Sequence, residues 1–102
     1  MKADLKKFIE EIKADTFNFL KFLKLEFPLF HNSVFFFRDL QYGVEKFMRK
    51  KNIELSYYES EQMAEELRRF FEQEGIFVKI KDSTWKINFP EFVTQIPGDP
   101  FQ

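Results

Sequence analysis

The chain contains no cysteine, one histidine, three glycines and four prolines in 102 residues. Without cysteine there is no disulfide framework and no thiolate to serve as nucleophile or ligand, which fits a reducing compartment. The single histidine, His31, has no cysteine and no second histidine for company, so it reads as an ordinary loop residue rather than a metal ligand or catalytic base. Long apolar runs are missing as well. The longest, residues 34–37, is far too short to span a bilayer. Residues 1–11 are charged where a signal peptide would be apolar. These features predict a cytoplasmic protein without a membrane span.

Charge of one sign is also lacking. Sixteen basic residues face 17 acidic ones, so the molecule as a whole has no strong positive field of the kind an obligate DNA binder carries. A catalytic site needs a base or nucleophile oriented by a second group. No glycine-rich phosphate loop and no metal-spaced carboxylate set is present to build one. The expectation is a protein that is not an enzyme, with no cofactor, no metal and no catalytic residue.

What the chain does have is phenylalanine, 16 of them, in a sequence that is 20% aromatic. Phe buries a large area and usually signals core, yet so many in a small domain suggest that some face a partner. One pattern also occurs twice, 23 residues apart: Leu40, Val44, Phe47, Met48, Asn52, Ile53, Leu55 and Tyr57 align with Met63, Leu67, Phe70, Phe71, Gly75, Ile76, Val78 and Ile80. Each copy reads as helix, stop and strand, one building unit used twice around one core.

In chain order, Leu5, Phe8, Ile9, Ile12, Thr16, Phe19, Leu20, Leu23 and Phe27 share one side of a helix that Pro28 ends. Phe17, Phe22 and Leu25 lie off that side. A helix apolar nearly all round needs cover on two sides, from its own domain or from a partner. A second helix is expected over residues 34–51, with Phe37, Leu40, Val44, Phe47 and Met48 inward. Gly43 interrupts it, either tolerated or marking a close helix approach.

Ile53, Leu55 and Tyr57 alternate like a short strand, although Ser56 and Glu59 have capping-box spacing and would start the next helix early. That third helix, residues 59–74, carries six glutamates against two arginines, a net of −4. Gly75 ends it. Ile76, Val78 and Ile80, a break at Asp82 and Ser83, then Trp85, Ile87 and Phe89 predict a hairpin with Ile80 facing Trp85, Val78 facing Ile87 and Ile76 facing Phe89. Lys79 would sit opposite Lys86, on a face shared with Lys81. If the strand at 53–57 neighbours the one at 76–81, the helix between them is a right-handed crossover.

The predicted fold is α+β: three helices packed with a small three-stranded sheet that ends in a β-hairpin, in one domain over residues 1–90. Residues 90–102 hold three of the four prolines, and residues 91–102 are expected to be an extended tail. The excess aromatics, the second apolar face of the first helix and the apolar tail point to a small non-enzymatic protein–protein interaction or regulatory module. Phe17, Phe22, Leu25, Phe92, Ile96 and Phe101 are its candidate contacts with a protein partner or a second copy.

Three helices followed by the hairpin of residues 76–89, with Lys79, Lys81 and Lys86 on it, loosely resemble winged-helix domains. The resemblance implies nucleic-acid binding, with the helix before the hairpin in the major groove and Arg68, Arg69, Lys79, Lys81 and Lys86 as contacts. The net −4 of that helix departs from the pattern, because phosphates would repel it.

Overall fold

The computed structural model describes residues 5–92. Helix α1 (Leu5–Ala14) is followed at once by α2 (Thr16–Glu26), so the single long helix expected from the apolar periodicity is two. Asp15 makes the break. Its backbone leaves the helical region (φ −135°, ψ 67°) and its carboxylate accepts a hydrogen bond from Asn18 N at 3.3 Å, capping α2. A short acidic side chain offers the backbone this alternative at little cost. The apolar spacing on either side is unaffected, which is why it gave no warning.

Val34–Phe36 forms strand β1, and helix α3 (Phe37–Arg49) begins only after it. The helix predicted over residues 34–51 is thus shorter by a strand, because Val34 and the two phenylalanines pair with a segment fifty residues away. After α3, Asn52 adopts φ 63°, and Gly75 takes φ 77° after α4 (Tyr57–Gln73). Both stops of the doubled pattern therefore lie in the left-handed region that Asn and Gly tolerate best.

Residues 53–56 join no ladder. Ser56 instead caps α4: its hydroxyl accepts from Glu59 N at 3.1 Å and its N–H donates to the Glu59 carboxylate at 2.9 Å. The capping box, not the alternation, decides this segment. With no strand there, α4 is not a crossover between parallel strands. The sheet consists of β1, β2 (Phe77–Lys81) and β3 (Thr84–Ile87) in the order β1-β3-β2, antiparallel throughout. The fold is α+β with four helices and a small open sheet, and its likeness to winged-helix domains remains loose.

The hairpin register differs from expectation by one residue. Phe77 pairs with Ile87, Val78 with Lys86 and Lys79 with Trp85, and a bulge at Ile80 leaves Lys81 opposite Thr84. Phe77, not Val78, is the inward residue of β2. Counting apolar residues favours the Ile76, Val78, Ile80 face; a single large Phe placed against Trp85 outweighs it, since an aromatic ring buries far more surface than Val. The shift also removes the expected confrontation of Lys79 with Lys86.

The phenylalanine excess is spent mainly on the core. A line of rings crosses it, with centroids 6.1 Å apart for Phe19 and Phe71, 5.0 Å for Phe71 and Phe77, and 5.1 Å for Phe77 and Trp85. The Trp85 indole N–H donates to the Glu72 carboxylate at 2.6 Å, so the polar end of the largest core side chain is satisfied. Helix α2 buries Phe19, Leu20, Phe22 and Leu23 and passes so close to α3 that a Cβ on Gly43 would come within 3.0 Å of Leu23 Cδ2. Close approach, rather than tolerance, accounts for that glycine.

Candidate functional site

The sheet's inner face is covered by the helices, and its outer face is open among the described residues except at Thr84 of the central strand, which is buried. Antiparallel sheets exposed on one side normally alternate apolar inward with polar outward. Here the outward positions break that rule. In β1, Val34 and Phe36 flank the buried Phe35 and are 52% and 47% exposed; in β2, Val78 and the bulged Ile80 are 42% and 53% exposed. Register fixes their arrangement: Val34, Lys86 and Val78 form one row across the three strands, and Phe36, Thr84 and Lys81 form the next. The result is an apolar patch of four side chains, with two lysines along it.

Sequence reasoning missed this patch for identifiable reasons. It placed Val34 and Phe36 in a helix, and it turned Val78 and Ile80 inward. The signal that could have found it is Phe77 itself, which has the size to compete for the core and would force its neighbours outward.

The residues singled out from the sequence are scattered. Phe17 is 46% exposed and rests against Phe89 and Phe92, with ring centroids 6.0 and 5.9 Å away. Phe22 is buried in the chain's own core, in an edge-on contact with Phe47 at 5.3 Å. Leu25 is exposed but stands alone on α2. Phe92 is buried, and its carbonyl accepts a hydrogen bond from His31 N. His31 Nδ1 in turn accepts from Phe89 N at 3.1 Å, so the lone histidine fastens the chain after β3 to the loop before β1. Ile96 and Phe101 lie outside the described residues.

Of the basic residues, Arg68 is held between Glu65 and Glu72 of its own helix, and Arg69 lies 3.5 Å from Glu66 and 3.7 Å from Glu65. The hydrogen bond that Arg68 donates to Glu65, with the charges of Glu65 and Glu72 adding to it, pushes the Arg68 guanidinium above its ordinary value, so it stays a cation at every accessible pH. Lys79 faces Asp82 at 3.5 Å. Only Lys81 and Lys86 of the set are exposed without an ion pair or an aromatic ring beneath the ammonium among the described residues.

Between α4 and the hairpin turn lies an open groove of about 570 Å³, floored by Phe37 and Trp85 and edged by Glu61, Glu65, Arg68 and Glu72. Its charges are largely paired with one another. Further in, Gln41 Nε2 donates to Ser60 Oγ at 2.9 Å and Ser60 Oγ lies 2.9 Å from Glu45 Oε2, a buried network that ties α3 to α4. These groups are satisfied within the fold. Among the described residues, no group of three His, Asp or Glu side chains converges to hold a metal ion, and no helix is long and apolar enough to cross a membrane. Comparison with family models, with curated proteins and with solved structures returned no match.

Proposed function

We propose that this protein is a small non-enzymatic protein–protein interaction module that binds through the outer face of its sheet. The observation that carries the reading is the apolar character of that face. Val34, Phe36, Val78 and Ile80 occupy outward positions where solvent would favour polar side chains. About half of each of these side chains remains open to solvent in the isolated chain. Burial against another protein would recover the free energy that exposure forgoes, at about 25 cal/mol per Å² of apolar surface.

The test is a photo-reactive phenylalanine analogue placed at Phe36, and separately at Lys6 on α1 as a control, in cells of the native host. Discrete protein adducts from position 36 that are missing from position 6 are expected. Adducts equal at both positions, or none at either, would remove the reading.

The unpaired Lys81 and Lys86 favour one competitor, nucleic-acid binding through the hairpin. Against it, α4 is acidic and both of its arginines are engaged by glutamates of the same helix. Under that reading mixed-sequence duplex should bind at low salt and dissociate steeply as salt rises; absence of binding at low salt disposes of it.

A further inference from the structure

We infer that the outer face of the sheet takes a protein segment in which apolar residues are interleaved with carboxylates. This rests on the proposed reading of that face as an interaction surface and adds the chemistry of the partner.

The argument starts from how the chain uses its other cations. Lys13, Lys46, Arg49, Arg68, Arg69 and Lys79 are in ion pairs. Lys7, Lys21, Lys24, Lys50 and Lys51 lie over aromatic rings, with the ammonium 5.1 to 6.0 Å from a ring centroid. Among the described residues this leaves Lys6, Arg38, Lys81 and Lys86 with neither kind of partner. Two of those four are on the outer sheet face, and Arg38, the second residue of α3, lines a groove with Phe36 and Thr84. The unpartnered positive charge is therefore gathered where the unpartnered apolar surface is.

The face itself carries no acidic side chain: its positions are Val34, Phe36, Val78, Ile80, Lys81, Thr84 and Lys86. Lys86 sits in the central strand, between Val34 and Val78 in the same row. A partner covering both valines must pass over that ammonium and desolvate it, which is costly unless a carboxylate meets it. A purely apolar partner would leave Lys86 buried and unpaired. A second copy docked through the same face would bring lysines against lysines. Nucleic acid would satisfy the lysines but leave the four apolar side chains against sugar and phosphate, beside an acidic helix. An extended segment that presents a carboxylate between apolar side chains on its sheet-facing side satisfies both sets, since residues two apart share one face of a strand.

The experiment is selection of short random-sequence peptides displayed on phage against the folded full chain, followed by affinity measurement on synthetic copies of the enriched peptides. Two variants serve as readouts: Val34→Thr with Val78→Thr, which keeps strand propensity but removes the apolar row, and Lys81→Glu with Lys86→Glu. Both pairs are at exposed positions, and unchanged thermal unfolding verifies the fold. Enriched peptides should carry Asp or Glu between apolar residues. Each variant pair should weaken their binding by about tenfold or more, and added salt should weaken it further.

Enrichment of apolar peptides without carboxylates, lost with the valine pair but indifferent to the lysine pair, would overturn the acidic assignment while leaving the face as an interaction surface. Enrichment of nothing, or of peptides indifferent to both pairs, overturns the inference and the reading beneath it. Self-association of the free chain that the valine pair abolishes, or duplex DNA binding that the lysine pair abolishes, overturns it in favour of a second copy or of nucleic acid.

Discussion

Gly43→Ala is the substitution for which sequence and structure give opposite signs. In an exposed helix interior, Ala is favoured over Gly by about 0.8–1.0 kcal/mol, because it restricts the unfolded backbone and shields the folded one. At position 43 the added methyl would come within 3.0 Å of Leu23 Cδ2 and 3.5 Å from Phe27 Cε2. The second distance is ordinary contact; the first is a collision. Leu23 is fully buried in α2, so its methyl group has no solvent to swing into, and either its rotamer or the α2–α3 spacing must give. Over-packing of this kind costs about 1–3 kcal/mol. The propensity gain offsets part of that, leaving a net loss of about 1 kcal/mol, with Tm lower by about 4–8 °C for a domain of this size. Urea unfolding measures it directly. The control is the same substitution in a Leu23→Val background. Leu23 Cγ lies 3.8 Å from the added methyl position, so shortening the side chain removes the colliding atom and leaves an ordinary contact. There Gly43→Ala should turn stabilising, and the double-mutant cycle should give a coupling of about 1–3 kcal/mol. A Gly43→Ala protein more stable than the parent by about 1 kcal/mol in the Leu23 background would refute the close approach of the two helices.

Three further outcomes are expected. Phe71→Ala should cost about 3–5 kcal/mol, because the ring is fully buried in the aromatic line, while half-buried Phe70→Ala should cost clearly less; equal losses would mean the inward side of α4 is misassigned. Ser83→Gly should raise stability by about 0.5–1 kcal/mol in thermal melts, because Ser83 holds φ 61° in the hairpin turn, and a loss instead would mean the turn relies on the serine side chain. Lys46, 3.0 Å from Glu26, has its pKa raised by the hydrogen bond to that carboxylate, with Glu26 and Tyr42 adding charge effects. A raised lysine contributes stability that is complete below about pH 10.5 and is lost as pH rises through the folded-state value. Parent and Lys46→Met should therefore differ in urea midpoint at pH 7 to 9 and converge at strongly alkaline pH, and a difference that persists there would assign the effect to packing.

The internal uses of charge and aromaticity explain why site residues chosen by type alone scatter. Arg68 and Arg69 look available in a sequence, yet helical spacing puts glutamates three and four residues away from each. Phe22 looks like a second face on α2, but α3 supplies its cover through Phe47. In both cases a partner within the same fold takes the group before an external one can. The exposed Val34, Phe36, Val78 and Ile80 stand out because no such internal partner exists for them among the described residues.

The sequence by itself determined what depends on near neighbours. The inward stripes of α3 and α4, the stops at Asn52 and Gly75, the Ser56–Glu59 capping box and the turn at Asp82 and Ser83 are all set by contacts within a few residues, and they are legible in the spacing. Only the tertiary structure decided which segments become strands and which way they face. Val34 pairs with Lys86 across half the chain, and the hydrogen-bond ladder gained there outweighs the helical periodicity that continues through residues 34–36. Residues 53–57 alternate as well as many strands do, but no neighbour offers them a ladder. The orientation of β2 turned on one bulge and on the fit of Phe77 against Trp85, Phe35 and Phe71, contacts that exist only once the sheet is assembled. Because side chains alternate with period two, that one-residue difference is what moves Val78 and Ile80 from the core to the open face.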